Sequence, residues 1–439
     1  MTRVVALTLD KRALSEICWI CPSICPIPTS NVTNALIVLA AVVLALVGLI
    51  LYAAKLRWMV TTVPRLTIAT SIATDDRQTT DPLSMPRVAV IIPAYNEADN
   101  LETCVRSVLQ NTALSSKQLE VWIVDDQSTD ATLAIAQTLQ TTLKDPCLQV
   151  LAGKPRPEGE RWMGKNWACT QAAEQSDGEF LLFLDADVRL KPGAIVAAMQ
   201  EAENKQLDLL SCGPAIVCGC LAEWLVQPIL MNQLLADLDF AAVADPMADT
   251  VFAAGPFMLF RRIAYEKIGG HRAVASQVVE DVELARRIKT NGLRLELLLA
   301  SDFVTVRMYR SFAALWEGWT KNLYLGTQRN AKAVSFFAVT MLMFYLVPWL
   351  GLAIVLSHAT FGALTLIDLF LTGSAIAAIL LHYDIRRSGS RVSAIPTTYW
   401  WLSGLGGALV AAIAIASMIK TETGWGWTWR GRSLQLPDG

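Results

Sequence analysis

Glu179-Phe180-Leu181-Leu182-Phe183-Leu184-Asp185-Ala186-Asp187 (179–187) is the stretch on which the fold turns. An unbroken apolar run, closed by two carboxylates one residue apart, reads as a strand buried on both faces. Two other runs share the pattern. Arg87–Pro93 (RVAVIIP) leads into Ala94-Tyr95-Asn96-Glu97, and Leu119–Val124 (LEVWIV) leads into Asp125-Asp126-Gln127-Ser128-Thr129-Asp130. Helical patterns at Asn100–Leu109, Ala131–Leu143 and Trp167–Gln175 lie between or beside them. Strands alternating with helices predict an α/β domain with a mostly parallel sheet. In such sheets ligands gather at the carboxyl ends of the strands, which is where these polar residues fall.

The polar residues divide by what their type can do there. Ser128, Asp99 and Asp130 precede amphipathic helices and read as capping groups. Asp185 and Asp187 can both turn to one face and hold a hard divalent cation together with phosphate oxygens. Gly159–Asn166 (GERWMGKN) nearly spells a P-loop, but Asn166 stands where the magnesium-binding Ser or Thr belongs, and no buried strand precedes it. A nucleoside triphosphatase is excluded on that ground. Gly164-Lys165-Asn166 before a helix still offers backbone N–H groups and an ammonium to a diphosphate. Val278–Arg287 starts a further amphipathic helix, where Glu283 is accounted for by the helix dipole. Glu280 and Asp281 gain interest only in company with the other carboxylates.

Composition narrows the class. The 439 residues are 53% hydrophobic and 17% charged, against about 25% charged in a soluble domain. Disorder and coiled coil are excluded, and a net charge of −2 gives no reason to expect nucleic acid as a partner. The three histidines, His271, His358 and His382, leave little for a histidine metal site or a Ser/His/Asp triad. Cys18, Cys21 and Cys25 cluster without a fourth ligand and read as incidental. Ala35–Ala54 is free of charge and long enough to span a bilayer, and Lys55, Arg57 and Arg65 follow it. Ser335–Leu356, Phe361–Leu381 and Thr397–Met418 are three more apolar spans, with Asp384, Arg386, Arg387 and Arg391 read as a basic loop. By the positive-inside rule this loop and the central domain face the cytosol. Four spans in this order put the tail outside despite Lys420, Arg430 and Arg432, unless one segment is re-entrant or interfacial.

Pro93-Ala94-Tyr95-Asn96-Glu97, Val124-Asp125-Asp126, Gly164-Lys165, Asp185-Ala186-Asp187 and Glu280-Asp281, in that order, resemble family 2 glycosyltransferases. The resemblance covers residues 87–290. The flanking helices and Trp425–Arg432 (WGWTWRGR) are similar to membrane members acting on hopanoids, carotenoid acids and ceramide. The resemblance implies a GT-A domain at 82–310. Around it lie an extension at 1–34, a transmembrane helix at 35–54, an interfacial segment at 311–334, about three transmembrane helices at 335–418 and a Trp/Arg tail at 419–439. It implies that Pro93, Ala94, Asn96, Glu97, Asp125 and Asp126 line the nucleoside pocket, and that Lys165, Asp185 and Glu280 attend the rest of a nucleotide-diphosphate sugar. Asp187 would bind Mg²⁺ or Mn²⁺, and Asp281 would be the general base of an inverting transfer.

Processive relatives carry Q-x-x-R-W after the base. The comparable stretch here, Arg310–Asn322 (RSFAALWEGWTKN), lacks it, so one transfer is expected rather than polymerisation. Trp316 and Trp319 are candidates for the acceptor entrance, or else headgroup-level residues of an interfacial helix. The expected partners are a nucleotide-sugar donor, a lipid acceptor and the membrane. A polyprenyl-phosphate sugar synthase and a non-catalytic nucleotide-sugar-binding membrane protein are the alternatives.

Overall fold

The computed structural model describes residues 29–67, 86–110, 114–362 and 364–434. The Cys18, Cys21 and Cys25 cluster lies outside the described residues, and the six described cysteines are all free. The central domain is built on a seven-stranded sheet of order β3-β2-β1-β4-β8-β6-β9. Its strands are β1 (Val88–Ala94), β2 (Leu119–Asp125), β3 (Leu148–Ala152), β4 (Phe180–Leu184), β6 (Leu209–Gly213), β8 (Phe257–Arg261) and β9 (Leu295–Leu299). Only β8 runs against its neighbours, β4 and β6. The mixed, mostly parallel sheet expected of a GT-A domain is therefore present. A smaller sheet joins β5 (Val188–Leu190), β10 (Val304–Val306) and β7 (Ala215–Ile216).

The continuous apolar runs follow from burial on both faces. Along β1, Val88, Val90 and Ile92 pack into one core, shared with α2 (Leu101–Gln110) and α3 (Thr132–Leu143). Ala89 and Ile91 face a second core with α4 (Gly164–Ala173) and α7 (Glu280–Thr290). In-register pairing sets Ala94 against Asp125 and Ile91 against Phe183, so the ends of β1, β2 and β4 fall along one edge. The sequence expectation for α4 began at Trp167, but the helix starts three residues earlier, at Gly164. That start brings Lys165 into its first turn.

Among the described residues four helices are long and apolar enough to cross a membrane: α1 (Thr29–Thr62), α9 (Ala331–Phe361), α10 (Leu366–Ser393) and the helical stretch Trp400–Thr423, whose α-helical part is α11 (Ser403–Thr423). α1 is welded to the sheet. Leu66 N donates to Leu299 O at 2.8 Å, and Leu299 N donates to Pro64 O at 2.9 Å, so the chain leaving the helix extends the β9 edge.

The basic stretch 384–391 is a correction to the sequence reading. It is not a loop but the last turns of α10. Helix continues because Arg386 is not solvated: its guanidinium donates to the carbonyls of Trp224 (3.0 Å), Thr398 (3.0 Å) and Pro396 (3.3 Å). Contacts along α11 lead the tail back to the sheet. Ser403 Oγ at the start of α11 lies 2.8 Å from His382 Nδ1. Near its end, Ser417 Oγ accepts from Tyr324 N at 2.9 Å, and Glu422 pairs with Arg329 at 2.9 Å. α11 packs on α6 (Leu221–Asp237) and on α8 (Phe312–Gly326), and it returns the chain to the side of the sheet. There Thr428–Trp429 (β11) and Arg432–Ser433 (β12) form a hairpin.

Candidate active site

A cavity of about 1290 Å³ opens over the strand ends. Pro93, Ala94, Glu97, Asp126, Lys165, Asp185, Asp187, Glu280, Asp281 and Trp319 all contribute to its wall. Asn96, Asp125 and Trp316 do not line it. Asn96 Oδ1 accepts from Thr129 N (2.8 Å) and Asp125 Oδ2 from Ser128 N (3.2 Å), so both knit the β1 and β2 loops behind the wall. Asp130 does the same work, accepting from Thr132 N at 2.9 Å and from Ala98 N at 3.3 Å. Trp316 instead meets Phe312, one helical turn back along α8.

The charges at the floor of the cavity interlock. Lys165 Nζ bridges Asp185 (2.7 Å) and Glu280 (2.8 Å). Burial disfavours its ammonium, but Asp185 and Glu280 more than offset that and hold its pKa well above the ordinary range. Glu280 is likewise buried, yet Lys165 holds it below the usual carboxylate value. Asp281 differs from its neighbour. Burial, reinforced by the Glu280 charge, pushes it up to about 6, where a carboxylate is a useful proton acceptor near neutral pH. Its Oδ2 accepts from Gly255 N (3.0 Å) and its Oδ1 from Val282 N (2.9 Å), so its orientation is fixed.

Asp187 is pushed well above the ordinary carboxylate range, first by burial and then by Asp185 and Glu97. Its Oδ1 is buried with no hydrogen-bond partner among the described residues. An unpaired, buried carboxylate oxygen beside a second carboxylate fits a divalent cation whose remaining ligands come from phosphate and water. Among the described residues no three His, Cys, Asp or Glu side chains converge as a protein-only cage.

Two glycines are required by close approach. A Cβ on Gly164 would lie 2.0 Å from Asp126 Oδ2, and one on Gly255 would lie 2.8 Å from Asp281 Oδ2. The cavity also runs away from the charges. Leu230 and Leu234 of α6, Leu323 of α8, and Phe336 and Phe337 of α9 line the same space. Phe336 is 75% exposed and Leu234 38%, so this apolar end reaches the outer surface of the helices.

Sequence reasoning missed part of the wall. Arg156, Lys321, Trp429, Arg430 and Arg432 all face the cavity. Arg156 pairs with Asp126 at 3.2 Å, and Arg430 pairs with Glu97 at 2.6 Å. The tail residues carried a signal in the Trp/Arg alternation of 425–432, but nothing local says which surface it docks on.

Residues 89–269 match the sequence profile of Glycosyl transferase family 2. The chain is 26% identical over 276 residues to a 4,4'-diaponeurosporenoate glycosyltransferase of Staphylococcus haemolyticus, covering 62% of this chain and 70% of that protein. It is 25% identical over 288 residues to the protein of the same name from Staphylococcus aureus strain USA300, covering 65% and 73% respectively. Among solved structures it is similar to a mannosyltransferase from Pyrobaculum calidifontis in complex with GDP-Man and Mn²⁺. That match has a TM-score of 0.49 and 19% identity, with 88% of this chain and 99% of the other covered.

Proposed function

We propose that this chain, whose residues 89–269 match the Glycosyl transferase family 2 profile, transfers one sugar from a nucleotide-diphosphate sugar to a membrane lipid with inversion. The observation that carries this reading is the continuity of the cavity. One end holds the carboxylates and Lys165, and the other is lined by Leu234 of α6, Leu323 of α8 and Phe336 of α9, the last a helix long and apolar enough to cross a bilayer. A charged donor and an apolar acceptor thus meet in one space. The Staphylococcus relatives are named for an acceptor of this lipid kind, a carotenoid acid, which supports a carotenoid, hopanoid, sphingolipid or glycerolipid acceptor here.

In this reading the acceptor oxygen attacks the anomeric carbon while Asp281 takes its proton, and the bond to the diphosphate breaks on the opposite face. A single displacement inverts the centre and needs no enzyme nucleophile. Lys165, in the first turn of α4, adds its ammonium to the favourable N-terminal dipole facing the diphosphate. Mg²⁺ or Mn²⁺ held by Asp187 would stabilise the charge that develops on the leaving diphosphate. Arg65 bridges to Leu299 at the β9 edge and donates to Arg391 O at 3.0 Å, and with Lys55 and Arg57 shortly before it these basic residues assign the domain, by the positive-inside rule, to the cytosolic face of an integral membrane protein.

The test is sugar transfer by the purified full chain from a nucleotide-diphosphate sugar into extracted lipid, with Asp281→Asn as the inactive partner. Transfer confined to a polyprenyl phosphate and undiminished in Asp281→Asn would favour the polyprenyl-phosphate synthase. Donor binding without turnover in the wild type would favour the non-catalytic alternative.

A further inference from the structure

We infer that the C-terminal hairpin is a wall of the donor site, and that Arg430 and Arg432 bind the nucleoside diphosphate portion of the donor. The inference rests on the donor reading above and adds to it a segment some 150 residues beyond the base.

The hairpin is held on both flanks. Thr428 Oγ1 donates to Glu317 Oε1 of α8 at 2.6 Å, and Arg430 N donates to Glu317 Oε2 at 3.1 Å. Lys321 Nζ sits 4.2 Å from the centre of the Trp429 ring, and Trp427 is buried. On the other flank Arg430 donates to the carbonyls of Tyr95 (2.9 Å) and Asn96 (2.6 Å) beside its ion pair with Glu97. Arg432 donates to the carbonyls of Asp126 (2.6 Å) and Gln127 (3.0 Å), pairs with the Asp126 carboxylate, and lays its guanidinium 3.4 Å from the centre of the Tyr95 ring. Both arginines thus bind the loops that end β1 and β2, at the residues expected to take the nucleoside.

Charge gives the reason for that placement. Among the described residues eight carboxylates line the cavity, and the cations facing them are Arg156, Arg161, Lys165, Lys321, Arg430 and Arg432. Without the hairpin a dianionic diphosphate would enter a cavity in which carboxylates outnumber cations two to one. Two preorganised guanidinium forks are the groups best matched to phosphate oxygens.

The test uses the full chain in detergent with Mg²⁺, titrated calorimetrically with UDP and separately with GDP. Wild type should bind one of them, and Arg430→Gln and Arg432→Gln should each bind it about ten- to a hundredfold more weakly, the loss expected for a charged hydrogen-bond donor. Arg329→Gln, at a residue that engages Glu422 and Tyr324 and does not line the cavity, should match wild type. Wild-type affinity in both hairpin variants overturns the inference. Absence of binding by wild type to either nucleotide overturns the donor reading beneath it. Hydrogen exchange on the wild type needs no variant: amides of Trp425–Ser433 should slow when the nucleotide is added, and unchanged rates would overturn the inference.

Discussion

Asp281→Asn is the sharpest perturbation available, because structure sets both its cost to folding and its cost to rate. The amide keeps the size of the side chain, and its oxygen can accept from one of Gly255 N or Val282 N, so one of the two hydrogen bonds is lost, at about 1 kcal/mol. Against that stands the raised pKa. With a folded value of about 6 over an unfolded value near 3.9, the native state retains a proton that the unfolded chain gives up. This contribution is fully present below about pH 4 and is lost as pH rises through about 6, amounting to at most about 2–3 kcal/mol. Asn removes that pH-dependent loss, so near pH 7 the variant should be no less stable than wild type. Its turnover should nevertheless fall roughly 10²–10⁴-fold, with donor affinity almost unchanged. Wild-type kcat/KM should rise about tenfold per pH unit below about pH 6 and then level, since the base must be ionised. The assay is initial-rate transfer to a lipid hydroxyl, with melting temperature followed in parallel. A variant that is stable, binds donor and still transfers at the wild-type rate refutes the base assignment.

Asp187→Ala should lower turnover roughly a hundredfold or more while leaving the melting temperature nearly unchanged, and excess EDTA should silence the wild type; full activity in EDTA counts against the metal. Gly164→Ala drives a methyl into Asp126 Oδ2, and nucleotide titration should show weaker donor binding with a smaller effect on kcat. Glu283→Gln, whose carboxylate pairs with Arg286 at 3.1 Å, should be nearly silent in the same transfer assay. Cysteines placed at Lys154, Ser390 and Ser433 should all label from the same side of the membrane; opposite labelling of Ser390 and Ser433 would mean that α11 crosses it.

The sheet was legible because burial on both faces leaves a plain trace: β1 and β4 are unbroken apolar runs, β2 is broken only by Glu120, and carboxylates follow each within a few residues. Their meeting at one edge follows from parallel register, so Glu97, Asp126, Asp185 and Asp187 could be placed before any coordinates. Asp281 could be named only through resemblance, because an acidic first turn is unremarkable in itself; its difference from Glu280 lies in who pairs with Lys165. The end of α10 misled because arginines in a row look solvated. Arg386 instead satisfies three carbonyls, and one of them, on Trp224, lies 162 residues away in sequence. The hairpin was hidden for the same reason. Arg430 contacts Tyr95 and Asn96 across more than 330 residues, and no local pattern encodes a contact of that range.

Movement of one sugar from a nucleotide donor to a membrane lipid is read out by supplying membranes containing the protein with radiolabelled nucleotide-diphosphate sugars and separating the extracted lipids. A single labelled glycolipid carrying one sugar should appear, and it should be absent with Asp281→Asn and with Asp187→Ala. Label found only in a polymer or in free sugar, with none in the lipid phase, would contradict transfer to a lipid.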